Sequence, residues 1–365
     1  MSHPSLASRL LPASAPILAA IAILQGPGAA VAQEAPADLT VVPPVPADFV
    51  PQKTPWGDPD IRGIWPTQAI ADADVPFERP PESGNRAWLT EAEFAERLAA
   101  AERSDAGAGR AGDLNASTDG LANWVRTSSN GRRSSMLISP TDGRLPPLTP
   151  WAEALTRDGK SSWKRGQAID SVYDLDAFDR CITRGLPSIM LPTMLNNAVR
   201  IFQAPGLVVL KMETLDTRII PLGGGDHRPA AVRTWMGDSR GHWDGNALVI
   251  ETTNIIDGDG TGRDPGRLAA SPAYGVSPFP VSRQALVVER LTMTGPDRIE
   301  YEVTYRDPEV FTSPWSARLE WSRDDGYRMF EYACHEGNVQ VRDMINSSRA
   351  QRRTDGEAIS AGKGG

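Results

Sequence analysis

Cysteine and histidine are scarce in this chain, two and four among 365 residues, and their scarcity closes off several chemistries at once. No CxxC pair is present, so no zinc knuckle or dithiol redox motif can be built locally. No two histidines stand at the HxH, HxxH or HExxH spacings of compact metal sites. No GxSxG stretch marks a nucleophile elbow. "GGGDH", Gly223 to His227, lacks the Lys-Ser/Thr that a phosphate loop needs downstream. No repeat is visible beyond recurring hairpin patterns. Positive charge is also short: the formal net charge is −8, which disfavours nucleic acid and anionic membrane surfaces as partners.

An apolar run opens the chain. Leu10 to Leu24 follows Arg9, is broken by Pro12 and Pro16, and is too short for a membrane span of roughly 20 residues. It leads to Ala30-Val31-Ala32, the small-x-small form of a signal-peptidase site. The expectation is a signal peptide over residues 1–32, cleaved near Ala32/Gln33, and a periplasmic or secreted chain without membrane insertion. No cysteine near the cut supports a lipid anchor. In an oxidising compartment a lone cysteine pair forms a disulfide more often than not. A Cys181–Cys334 bridge would close a loop of roughly 150 residues, worth ~3–5 kcal/mol in the chain-entropy model. The rival reading is a catalytic thiol at Cys334 beside His335.

Residues 33–60 hold too much proline for helices or central strands and read as an extended arm. Residues 61–198 read as a helix- and loop-rich segment anchored by Ile61, Ile64 and Trp65. Thr90 and Glu93 form a capping box at the head of a helix running to about Arg103. A flexible stretch over residues 105–120 follows, and Thr149-Pro150 opens a second helix. Residues 199–349 then change to short strands and turns. Hairpins are expected around Ala204-Pro205-Gly206, Asp244-Gly245, Gly295-Pro296-Asp297 and Asp324-Asp325-Gly326, the last carrying "RMFEYAC" as a strand. A helix over "MINSSRAQRR" closes the chain before a flexible tail, residues 350–365. The fold class expected is mainly β: an antiparallel barrel or curved sheet of lipocalin type, with a few peripheral helices and the proline-rich arm.

The densest chemistry lies in the second hairpin. With Asp244-Gly245 as the two loop residues, Arg240 faces Val249 and Asp238 faces Glu251. Alternation then puts Asp238, Arg240, His242 and Glu251 on one face, and Trp235, Trp243, Leu248 and Ile250 on the other. The charged face is either a solvated outer surface with a cross-strand salt bridge or the wall of a polar cavity. In the second case Arg240 binds an anionic or carbonyl group while Asp238, His242 or Glu251 moves protons. His335 has two readings as well, a polar neighbour of the disulfide or an acid/base group. A metal site assembled from the dispersed histidines has no local signal, so no metal and no cofactor are assigned.

"RRSSMLISPTDGRLPPLTP", "RCITRGLP", "RIIPLGG", "RTWMGDSRGHWDGNALVIETTNI" and "FEYACHEGN" together resemble a family of secreted bacterial proteins of soil and aquatic species. The resemblance spans about residues 56–349. It implies secretion and a single architectural unit, and supplies no reaction. Members often carry histidine before the aspartate of the "DxRIIPL" stretch, where this chain has Leu215 before Asp216. The "GxWxGxxLVxxT" pattern is similar, at the level of fold alone, to lipocalin-type hairpins.

The function expected is cofactor-free acid/base chemistry, as a lyase, isomerase or hydrolase, on a small, mainly apolar cyclic or aromatic metabolite. Asp238, His242, His335 and Arg240 are the catalytic candidates. Arg184, Arg218, Trp235, Trp243 and Glu251 are the substrate-binding candidates. The alternatives are a non-catalytic periplasmic binding protein for a hydrophobic ligand or haem, and an envelope-interaction protein using the arm.

Overall fold

The computed structural model describes residues 34–111, 120–160, 162, 166–192, 196, 198–257 and 279–362. The expected signal peptide lies outside the described residues. In chain order the elements are β1 (Gly63–Pro66), α1 (Gln68–Asp72), α2 (Glu91–Ala111), α3 (Leu121–Thr127), β2 (Leu137–Ser139) and α4 (Pro150–Asp158). Then come β3 (Ala198–Ala204), β4 (Leu207–Met212), β5 (Thr217–Pro221), β6 (Asp238–Asp244) and β7 (Ala247–Thr253). β8 (Leu286–Gly295), β9 (Arg298–Arg306), β10 (Trp315–Ser322) and α5 (Gln340–Gly362) complete the chain.

Two antiparallel sheets result, with strand orders β1-β3-β4-β5 and β2-β10-β9-β8-β7-β6. The mainly β expectation holds. Neither sheet closes into a barrel. The sheets do touch: Leu222, just past β5, bridges Gly241 of β6, Asp324, just past β10, donates its N–H to Ile64 of β1, and Arg218 of β5 reaches Glu289 of β8. Gly241 permits the first approach, because a Cβ there would lie 2.8 Å from Leu222 Cδ2 and 2.9 Å from Ile220 Cγ2.

The first three predicted hairpins form. The fourth does not. β10 pairs with β9 on one side and with β2 on the other, and "RMFEYAC" lies outside every strand. A side chain holds it instead: Glu213 accepts from the Phe330 N–H at 2.9 Å and, just upstream, from the Tyr327 hydroxyl at 2.9 Å. The segment expected as helix and loop thus contributes two strands, β1 and β2, and α5 runs through the residues expected as a tail.

Helix signals were local and are met locally. Thr90 and Glu93 exchange the capping-box bonds, and Thr149 Oγ1 accepts from the Ala152 N–H at 3.2 Å. α2 continues to Ala111, into the stretch expected to be flexible. The arm has no helix or strand. Its carbonyls are held by side chains of the body, with Trp88 Nε1 on Val41 O, Arg318 on Pro43 O and Asn246 Nδ2 on Phe49 O.

The six-stranded sheet buries one face, and Thr292, Glu300 and Glu320 break the alternation by being buried as well. Val287, Leu291, Ile299, Tyr301, Val303, Tyr305, Trp315, Leu319 and Trp321 are all fully buried. Tyr301 stacks on Trp321 at 4.6 Å and Tyr305 on Trp315 at 5.4 Å, so aromatic side chains occupy the interior. Cys181 and Cys334 are bridged, with Cα atoms 5.6 Å apart. Thr183 Oγ1 donates to Asp216 Oδ2 at 2.6 Å, and Asn338 Nδ2 reaches Asp179 O and Cys181 Sγ. Three of the quoted motif stretches are thereby knitted together. Among the described residues no helix is long and apolar enough to cross a membrane.

Candidate functional site

The β6–β7 hairpin turns one position later than expected. Asp244 faces Ala247, leaving Gly245 and Asn246 as the loop, and Gly245 takes φ +62°, open to glycine at no steric cost. Arg240 therefore faces Glu251 rather than Val249, and Asp238 faces Thr253. The register moves by two residues, and an even slip keeps every side chain on its predicted face. Gly241, Leu248, Ile250 and Thr252 are buried on the inner face, while His242 and Glu251 are exposed on the outer one. The charged face is an outer face.

That face has gained a member from outside the hairpin. The loop after β5 lays His227 across the two strands, with Nδ1 3.0 Å from Asp238 Oδ2 and Nε2 3.2 Å from Glu251 Oε1. Asp238 is buried to 7% exposure and also accepts the Arg228 N–H at 2.9 Å. Arg240 Nη2 stands 3.4 Å from the same carboxylate, and its Nε donates to Asp226 O at 3.1 Å. Asn254 Nδ2 fixes the loop by donating to Arg228 O at 2.8 Å. Gly237, at φ +68°, makes the turn into β6; a Cβ there would sit 2.4 Å from Thr253 O.

Burial of Asp238 opposes its ionisation. The Arg228 N–H, the His227 contact and the positive charge of Arg240 outweigh that penalty and hold the carboxyl below the usual range. A buried carboxylate on Nδ1 fixes the imidazole's orientation and tautomer, and Nε2 is the nitrogen left toward the surface. Glu251, about half exposed, covers Nε2 from a position that a rotamer change can vacate. Arg228 and Arg240 place two guanidinium groups alongside. The set can take a proton at Nε2, stabilise the resulting imidazolium through Asp238, and hold an anionic or polarised oxygen at the arginines.

The other predicted site residues lie elsewhere. His242 is on the same outer face, opposite Val249, and exposed. Trp243 points to the opposite side, packs on the core, and leaves its buried Nε1 without a partner. Trp235 is half-buried in the turn before β6. His335 is exposed in the turn that carries the disulfide, away from any strand. Arg184 lies over the Phe178 ring at 4.3 Å and borders a cavity of about 10 Å³, room for one water.

Arg218, expected as a substrate anchor, is spent inside the protein. Its Nη1 and Nη2 meet Glu289 at 2.8 and 2.5 Å, and Nη2 also reaches Ser239 and Thr252. The Tyr301 hydroxyl donates to Glu289 at 2.8 Å. Burial alone would depress the Arg218 pKa, but the facing Glu289 raises it, so the guanidinium stays charged.

His227 escaped the sequence reading because it sits in a glycine-rich loop with no periodicity to aim it. Its one signal was rarity, as one of three histidines after residue 32. Among the described residues no group of three or more His, Cys, Asp or Glu is arranged to hold a metal ion. Comparison with protein-family models, with curated proteins and with solved structures finds no match.

Proposed function

We propose that this chain is an exported enzyme that performs general acid–base chemistry on a small molecule at the outer face of β6–β7. The observation that carries the reading is His227 held at Nδ1 by the buried Asp238 carboxylate, with Nε2 facing the half-exposed side chain of Glu251. His227 Nε2 takes a proton from a carbon next to a carbonyl or carboxylate, and the electron pair left behind moves onto that oxygen, where Arg240 and Arg228 balance the charge. Return of the proton at another carbon completes an isomerisation, and departure of a neighbouring group completes an elimination. The substrate class is a small anionic or carbonyl compound, as the two arginines demand. Export rests on the N-terminal pattern and agrees with the disulfide.

We also read the two sheets as arcs of one incomplete lipocalin-like barrel, from their contacts at Leu222–Gly241 and Ile64–Asp324. Its interior is filled by stacked aromatics and the Arg218–Glu289 pair, which favours chemistry on the outer face over a hydrophobic ligand or haem held inside.

Deuterium incorporation from D₂O into a panel of small carbonyl and carboxylate compounds, followed by NMR, tests the proposal across the whole substrate class at once. Incorporation should fall by roughly 10²–10⁴-fold in His227→Ala, the usual worth of a positioned acid–base group. Turnover of an identified substrate that survives both His227→Ala and Asp238→Asn would sink the assignment.

A further inference from the structure

An open groove of about 940 Å³ runs beside the disulfide, between Phe178-Asp179 on one side and the segment from Glu331 to the first turns of α5 on the other. That volume is at the upper end of small-molecule pockets, roughly 300–1,000 Å³. Its composition is lopsided. Asp179, Glu331, Glu336 and Asp343 line it, and no lysine, arginine or histidine does. Asp343 is paired with Arg342 at 3.1 Å. Among the described residues the carboxylates of Asp179, Glu331 and Glu336 have no hydrogen bond or ion pair, although Arg184 feels the charge of Asp179.

Aromatic and apolar surface stands next to these carboxylates. Tyr332 and Phe178 stack at 6.1 Å with 24° between planes, and Met344 and Val339 add apolar wall. The ring pair already receives one cation, since Arg184 lies over Phe178. Aromatic faces and carboxylates converging on one opening favour a positive charge attached to an apolar body. An anion would meet three unpaired like charges there.

We propose that this groove binds a small organic cation, an amine or quaternary ammonium carrying a ring-sized apolar group. The site shares no residue with the His227 cluster and does not rest on its chemistry. Glu331 and Glu336 supply the charge recognition, and Tyr332 and Phe178 supply the wall on which the apolar group lies.

Isothermal titration of the chain beginning at Gln33 with 2-phenylethylammonium, against 3-phenylpropionate as the anionic counterpart, tests it. The cation should bind saturably and the anion should not. In the Glu331→Gln/Glu336→Gln double variant, affinity for the cation should drop by roughly fivefold or more, a surface-charge effect at each of two positions. Both side chains are exposed and unpartnered, so the variant keeps the fold, checked by its unfolding curve. Equal binding of cation and anion, no saturable binding of the cation, or an unchanged affinity in the double variant each overturns the proposal.

Discussion

Ser239 and Thr252 face the inside of the six-stranded sheet, and their chain neighbours Asp238 and Glu251 face out of it. One residue's step along the same two strands separates two polar clusters of similar make-up. The inner one joins Arg218, Glu289, Tyr301, Ser239 and Thr252, with both ions at 2% exposure or less. The outer one joins His227, Asp238, Arg240 and Glu251 under partial exposure. Both Arg218 Nη atoms are committed to the inner acceptors, Arg218 Nε alone has no partner, and the burial of both ions closes them to a substrate. The outer groups keep one carboxylate buried to aim the histidine while leaving the histidine's far nitrogen within reach of solvent. Charge and hydrogen-bond chemistry are common to both clusters, and access separates a structural ion pair from a candidate active site.

The contrast is broken most forcefully from the inside. Glu289→Ala leaves the Arg218 guanidinium buried and unpaired, and should cost about 3–5 kcal/mol in urea unfolding. A loss below about 1 kcal/mol would mean that water reaches Arg218 and that the inner cluster is not sealed.

A third cluster lies between these extremes. Glu300 and Glu320 are directly opposed across β9–β10, both nearly inaccessible beneath the loop that follows α3. Glu320 takes the Ser129 N–H and Arg298, whereas Glu300 Oε2 has no partner. Burial and the facing Glu320 push the Glu300 carboxyl up to about 7, against the opposing pull of Arg318 and Arg133. A carboxyl raised on folding favours the protonated protein. Its contribution is complete below the unfolded value of 4.5 and is lost as pH rises through about 7. Unfolding free energy should therefore decline across that window by about 3 kcal/mol relative to Glu300→Gln, in which no carboxyl titrates. Parallel pH profiles for the two proteins would remove Glu300 as the titrating group.

Gly241→Ala probes how tightly the two sheets meet. The added methyl collides with Leu222 and Ile220, and the strain should lower stability by about 1–3 kcal/mol. Tolerance of alanine without a change in unfolding midpoint would show that β5 and β6 can part freely. The smallest effect belongs to the outer cluster. His227→Gln removes partly exposed polar contacts to Asp238 and Glu251 and should change stability by only ~0–1 kcal/mol. Set beside the loss of proton transfer expected from His227→Ala, that indifference would complete the contrast with Glu289.

Much of this arrangement can be read from residue order, and the unreadable parts have a common cause. Hairpins betray themselves through alternation and turn residues within a few positions, and three of four are found that way. The fourth fails because a turn at Asp324–Gly326 reports only that the chain bends; whether the next segment pairs depends on β2, far upstream in the chain, having taken the other side of β10. The interior ion pair did leave a trace. Glu289 stands in phase with Val287 and Leu291, and Arg218 in phase with Ile220, so opposite charges occupy inward positions on two strands. The outer cluster left half a trace: periodicity aimed Asp238, Arg240 and Glu251, while His227 arrives on a loop whose path is set by Asn254 and Asp238.

Among the described residues, the Cys181–Cys334 link joins residues 153 apart and lies outside all ten strands, yet eight of those strands, β3 through β10, fall between its ends. Covalently, that part of the molecule is a ring. One peptide-bond cut anywhere within the ring would leave the two pieces tethered, and only a second cut or a reductant could set a fragment free. Met by a protease, such a chain can be nicked once within the ring and still travel as one molecule.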